Sequence, residues 1–209
     1  MKYFYYSKKI INTFTLLSVK AFPIIGGGGA KKFSHIFTHL TDVEKITLYR
    51  IARKIRRKAT IVEIGSYLGA SSCFLATGLK NGCIYCIDTW QNDAMTEGQK
   101  DTYSAFMENT KDFADKIIPI RGWSYDVIDR INEKLGTDKI DILFIDGDHS
   151  YDGVKKDWDL YSPLLGKKSV VIFHDYGWAE GVKKVVHDDV IKKCKIYEAL
   201  PNMWWGQIK

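Results

Sequence analysis

The stretch from Thr60 to Leu79 restricts the fold more than any other part of this 209-residue chain. Thr60 to Ile64 is a short apolar run carrying one acid, Glu63, and it stops at Gly65. Gly69 then opens an amphipathic segment, Ala70 to Leu79. That order spells a strand, a glycine turn and a helix whose first N–H groups face whatever the turn encloses. A second strand-like run, Cys83 to Ile87, follows and ends in Asp88. An acid at that point of an α/β sheet accepts hydrogen bonds from both hydroxyls of a ribose.

The turn also says which adenosine-bearing ligand suits it. A dinucleotide site asks for G-x-G-x-x-G, so that the backbone can approach a pyrophosphate. Here Gly65 and Gly69 bracket Tyr67 and Leu68, whose bulk crowds a pyrophosphate. Glu63 is costly to bury without a partner, and S-adenosylmethionine (SAM) brings an ammonium and a sulfonium but no phosphate. SAM therefore stands ahead of NAD, the plain alternative for Glu63 being a salt bridge to a neighbouring Lys or Arg.

Strands are expected near 60–64, 83–88, 117–121, 140–146 and 169–174, with helices near 70–79, 99–110, 124–135, 151–162 and 179–191. A further helix should start at an N-cap on Thr41 or Asp42 and run to about Lys58. The tail, Lys195 to Leu200 and Met203 to Ile208 about Pro201-Asn202, reads as two strands around a turn. The whole is an α/β, Rossmann-like, seven-stranded and mostly parallel sheet, with helices on both faces and a C-terminal antiparallel hairpin.

Residues 41–209 form the expected domain, and 1–40 an extension. The extension is apolar from Ile10 to Ile25 but broken by polar residues, then stopped by Pro23 and the Gly26–Gly29 run. A signal peptide would lack this interruption, and a membrane span would be longer and less polar. An amphipathic cap over the site, or a peripheral contact with a membrane or partner, fits better. Charge is uneven: residues 1–60 hold 13 Lys+Arg against Asp42 and Glu44, net +11, whereas 61–209 hold 18 against 23, net −5. The basic run from Arg50 to Lys58 reads first as a solvated helix face. Cys83 and Cys86 have C-x-x-C spacing, but on a strand they point to opposite faces and so read as core residues rather than metal ligands. The chain is expected in the cytoplasm, with membrane association through residues 1–40 as the variant, and self-association into a homo-oligomer is compatible with it.

Ligands of open α/β sheets bind beyond the carboxyl ends of the strands. Those ends carry Glu63 with Gly65, Asp88, Gly122-Trp123-Ser124, Asp146 and its followers, and His174-Asp175. Trp90 or Trp123 could stack on an adenine or pack the core. Asp146 and Asp175, with His174, offer a mostly oxygen-lined site for a hard cation such as Mg²⁺, which would lower the pKa of an acceptor hydroxyl. His149 suits a base near neutral pH. Asp148 or Ser150 also reads as a helix N-cap.

The motifs Val62–Ser71, Ile87-Asp-Thr-Trp90, Arg121-Gly-Trp-Ser124, Phe144–Tyr151 and Ile172-Phe-His-Asp175 together resemble the class I SAM-dependent methyltransferases. The likeness is to bacterial small-molecule and sugar O-methyltransferases related to the catechol and caffeoyl-CoA enzymes, and it covers about 41–208. It implies SAM contacts from Glu63, Gly65, Ser66, Gly69 and Ser71 around the turn. Asp88 with Trp90, Gly122-Trp123-Ser124 and Asp146 would complete the cofactor site. It further implies metal ligands at Asp146 and Asp175, and catalysis by Asp146 and His149. Two positions depart from the family pattern: His149 stands where relatives have lysine, and Tyr176 where many have asparagine. Methyl transfer to a hydroxyl of a small molecule or glycan is the expected activity. The other readings are a non-catalytic SAM- or nucleotide-binding module, a metal-dependent hydroxylase and an RNA methyltransferase. Nucleic acid is not favoured as a partner, because no RNA-binding module or stacking motif accompanies the basic run.

Overall fold

The computed structural model describes residues 32–92, 98 and 100–209. Most of the expected N-terminal extension, residues 1–31, lies outside the described residues, as does the start of the helix expected from 99.

Seven strands form one sheet: β1 (Ala59–Ile64), β2 (Gly82–Asp88), β3 (Ile117–Arg121), β4 (Ile140–Ile145), β5 (Leu165–His174), β6 (Cys194–Ala199) and β7 (Met203–Ile208). Their order is β3-β2-β1-β4-β5-β7-β6. β1 to β5 run parallel, while β7 lies antiparallel to β5 and β6 antiparallel to β7. The helices are α1 (Asp42–Lys54), α2 (Ala70–Gly78), α3 (Tyr103–Thr110), α4 (Ile128–Leu135), α5 (Tyr151–Tyr161) and α6 (Glu180–Val185).

Strand alternation sorts the core into two layers. Val62, Ile64, Leu143, Ile145, Val171 and Phe173 face α4, α5 and α6. Their neighbours Ile61, Ile142, Phe144 and Ile172 face Leu48 and Ile51 of α1, Leu75 of α2 and Phe106 of α3. β1 and β4 are buried along their whole length, as expected of central strands covered on both faces. Cys83 and Cys86 fall on opposite layers, and both thiols are free.

Several helices are shorter than their patterns suggest. α1 stops at Lys54, and Ile55 is already extended. Arg57, beyond that stop, forms an ion pair with the buried Asp141, which also accepts from Thr60 N at 2.9 Å. The rest of the basic run, including Arg50, Arg53, Lys54, Arg56 and Lys58, is exposed. The last helix changes pitch after Val185, passing through a π turn and a 3₁₀ turn to Lys193. No helix among the described residues is long and apolar enough to cross a membrane.

Backbone hydrogen bonds continue the parallel ladder one residue past the strand ends. Gly65 N donates to Ile87 O, Asp146 N to Ile64 O and Gly122 N to Asp88 O, each at 2.8–2.9 Å. This draws the turns after β1, β2, β3 and β4 side by side. The approach is closest at Gly65, whose φ is +87°; a Cβ there would lie 2.0 Å from the Asp146 carbonyl oxygen. Backbone blocks that space, so relief requires moving a strand end. Gly65→Ala is expected to cost about 3 kcal/mol or more and to lower Tm by roughly 10 °C in a thermal melt.

Candidate functional site

A cleft of about 920 Å³ opens over these strand ends. It is lined by the turn from Gly65 to Leu68, by Ala70 and Ser71 of α2, by Asp88 and Thr89, and by Gly122 to Tyr125. The wall beyond carries Asp146 to His149, His174, Asp175, Trp178 and Asn202. Its size suits a ligand of drug or cofactor dimensions. Residues 32–40 contribute Phe37, Thr38, His39 and Leu40. The same segment packs Phe33 and Ile36 on Ala70 and Cys73 of α2.

The sequence placed Glu63 against the ligand, but the strand geometry turns it inward. Its side chain is fully buried and accepts from Ser66 Oγ at 3.0 Å, from Ser72 Oγ, and from Cys86 Sγ at 3.3 Å. Burial pushes its carboxyl up from the ordinary range, although these donors pull the other way. Glu63 thus ties the glycine turn to α2 and β2 from behind. Trp90 also sits behind the cleft surface. Its indole is fully buried against Tyr103 and Phe106, and its Nε1 donates to Tyr67 O at 2.9 Å. It shapes the cleft without lining it. Gly69, the N-cap of α2 at φ +85°, acts through the backbone too.

Asp88 does line the cleft. Tyr67 N donates to its Oδ2 at 2.8 Å and Trp90 N to its Oδ1 at 2.7 Å. Two backbone amides therefore aim the carboxylate at the cleft. Tyr67 achieves this with φ +45°, a conformation few non-glycine residues adopt.

On the β4–β5 side, four titratable groups meet. His149 Nε2 lies 2.8 Å from Asp175 Oδ2, and His174 Nδ1 lies 3.0 Å from Asp146 Oδ1. Asp175 stands at φ +57° and also accepts from Trp178 Nε1 at 2.8 Å and from Asn202 Nδ2 at 2.9 Å. Burial opposes its charge, but His149, His174 and Asn202 hold it well below the usual carboxylate range. Asp146 goes the other way: burial raises it, against the pull of His174.

His174, expected as a third metal ligand, sits at the back of this cluster. It is buried between Asp146 and Glu44 of α1, whose Oε2 is 3.7 Å from its Nε2. Burial alone would lower its pKa, but Asp146, Asp175 and Glu44 together hold it up at about 12. Among the described residues, Asp146, His149 and Asp175 can each place one ligand atom within 4.8 Å of the others. Two carboxylates and an imidazole in that spacing fit a divalent cation. Ser150, not Asp148, caps α5, accepting from Gly153 N at 3.1 Å, while Asp148 Oδ1 accepts from Ser150 N at 2.7 Å. Tyr176 leaves the cleft and bonds His187 at 3.1 Å.

Glu44, Asn202 and Trp178 were not picked out by sequence. Glu44 entered the sequence reading only as one of two acids among residues 1–60. It does close a capping box with Thr41, whose N donates to it at 2.8 Å, and the same carboxylate reaches His174. Asn202 read only as a turn residue, and Trp178, 60% exposed, packs edge-on to His149 with ring centroids 5.2 Å apart.

A family model described as "Methyltransferase domain" matches residues 62–176. Among curated proteins, the uncharacterized protein y4gI of Sinorhizobium fredii is 33% identical over 126 residues, 57% of this chain and 13% of that one. The uncharacterized protein R132 of Acanthamoeba polyphaga mimivirus is 32% identical over 151 residues, 66% of this chain and 64% of that one. The chain therefore spans less than two thirds of either relative. Among solved structures, the O-methyltransferase from Bacillus cereus in complex with SAH superposes with a TM-score of 0.64 at 14% identity, covering 97% of this chain and 94% of that one.

Proposed function

Because this chain belongs to the methyltransferase-domain family, we propose that its cleft binds S-adenosylmethionine and transfers the methyl group to a hydroxyl of a small molecule or glycan. One observation carries the reading: the amide-aimed Asp88 and the acid–histidine cluster share a single cleft across the strand ends. SAM, when bound, supplies an electrophilic methyl on a sulfonium.

The residues of the cleft divide the remaining work. Asp88 holds the ribose hydroxyls. The N-terminus of α2, with Ser71 and the Gly65 turn, receives the methionine end. Asp146 and Asp175 place two acids on the far wall, which suits a cationic ligand group. Asp175 accepts the Nε2–H of His149, which leaves Nδ1 as the basic nitrogen of that ring. The acceptor O–H would give its proton to Nδ1 as its oxygen took the methyl in line, the methyl–sulfur bond breaking to leave the neutral thioether of S-adenosylhomocysteine. Alignment of the two reactants in a closed cleft supplies much of the acceleration. A divalent cation such as Mg²⁺ on Asp146 and Asp175 would lower the acceptor hydroxyl's pKa.

Calorimetric titration with S-adenosylhomocysteine, with and without Mg²⁺, tests the assignment. Saturable one-to-one binding is the expected result, and its absence under both conditions overturns it. Methyl transfer that persists in EDTA would remove the cation from the scheme.

A further inference from the structure

Every strand of the sheet carries lysine at the end away from the cleft. Lys58, Lys80, Lys116 and Lys139 stand just before β1, β2, β3 and β4. Lys167 and Lys168 lie in the first residues of β5, Lys193 precedes β6, and Lys209 follows β7, which runs the other way. With Arg56, Arg57 and Lys192 in the same connections, eleven cationic side chains meet two acids, Asp115 and Asp138. Asp141 and Asp189 pair off Arg57 and Lys192. Lys116, Lys139 and Lys209 reach the carbonyl oxygens of Leu79, Pro163 and Lys192, which leaves their charge unneutralised. The bland explanation is that these lysines answer helix C-termini. Six helical segments lead into β1 to β6 and end here, each with roughly half a negative charge. That offsets less than half of the seven charges left in excess.

The middle of the sheet pushes two of these lysines outward. Between the pairs Ile140–Leu165 and Ile142–Val170, β5 advances five residues while β4 advances two. The excess forms a bulge that holds Lys167 and Lys168, both exposed, with Lys168 at φ +70°. Gln207 Nε2 donates to Lys168 O at 3.1 Å. Ser169 Oγ donates to Ile140 O at 2.6 Å and accepts from Gly166 N at 2.9 Å. Glycine would adopt that φ without strain, whereas lysine does so at a cost that these bonds offset.

We propose that this basic end seats the domain on an anionic lipid bilayer, with the cleft opening away from it. Across seven strands the charges spread over roughly 30 Å, which suits an extended anionic surface better than a single phosphate. A bilayer also fits better than nucleic acid. Nine of the eleven cations are lysines, point charges that match a diffuse headgroup layer, rather than the forked donors that grip phosphate bidentately. None of these segments carries an aromatic residue to stack on a base. The cleft is lined by five aspartates, three histidines and Lys156, so the field of the surface turns it outward. β1, six residues long, lifts the cleft roughly 20 Å above the headgroups. The inference does not depend on what the cleft binds.

Co-sedimentation of the full chain with vesicles of equal parts phosphatidylglycerol and phosphatidylcholine, against pure phosphatidylcholine, tests it. At about 0.1 M salt the anionic vesicles should be preferred by about 100-fold, and the preference should fall at least about tenfold by about 0.5 M. Lys80→Glu, Lys167→Glu and Lys168→Glu together should weaken anionic binding by about 100-fold or more. The same charge change on the cleft half, Lys100→Glu with Lys183→Glu and Lys184→Glu, should weaken it by only about threefold. Should the first variant fold poorly, Lys167→Gln with Lys168→Gln should still lose about tenfold. Equal losses in the two triple variants would mean that net charge alone attracts the chain. Full binding in the first would place the contact elsewhere. Either result overturns the proposal, as does equal binding to the two kinds of vesicle, or tighter retention by single-stranded RNA at the same salt. The first variant's affinity for S-adenosylhomocysteine is expected to match the parent's, which keeps this test separate from the cofactor reading.

Discussion

Replacing His149 by alanine is expected to slow methyl transfer by about 10²- to 10⁴-fold while S-adenosylhomocysteine affinity stays within about threefold. The side chain touches the cleft but lies on the β4 side, away from Asp88, so the loss should fall on turnover. A stopped assay for methyl transfer and a parallel titration separate the two effects. Unchanged turnover would remove His149 as the base. The pH profile offers a second check. Hydrogen bonding to Asp175 raises the His149 pKa above 6.5, outweighing the effect of burial. A base works deprotonated, so activity in EDTA should climb with pH along a limb lying above 6.5. Asp175→Asn removes the charge that favours the protonated ring, and the limb should move down.

Asp88→Ala is the second large effect, and it should appear in binding. Two hydrogen bonds from ribose hydroxyls to a carboxylate are lost, and at the usual strength of charge-assisted bonds this weakens S-adenosylhomocysteine binding by about 10²-fold or more. The Tyr67 and Trp90 amides also lose their acceptor, so the glycine turn loosens with it. Circular dichroism and a thermal melt show whether the fold survives. Asp88→Asn keeps one acceptor oxygen and should lose less. An unaltered Kd in the folded alanine variant would place the ribose elsewhere.

What the sequence conveyed well was period and punctuation. The alternation of β1 and β4, the glycines at 65 and 69 and the acids at strand ends all act over a few residues, so they predict the sheet and the mouth of the cleft. Side-chain direction at the strand ends was less legible. Glu63 and Asp88 look alike in sequence, each an acid at or near the end of a strand. Register sends Glu63 toward Ser72 and Cys86, and Asp88 toward the cleft. Similarly, His174 and His149 both read as site histidines, and only the packing of α1 shows which is held between acids. The contacts that escaped notice join distant parts of the chain. Glu44 to His174 and Asn202 to Asp175 span long loops and leave no local pattern.

The dual engagement of Glu44, which caps α1 and faces His174, bears on where this domain can be cut. The family match, 62–176, excludes both Glu44 and Asn202, as well as the strands β6 and β7. A fragment trimmed to those limits would retain every residue of the expected motifs and still lose the partners that hold His174 and Asp175 in place. The unit that keeps the acid–histidine cluster in place is therefore longer than its recognisable signature, and recombination at the edges of that signature would carry the motifs across without the residues that orient them.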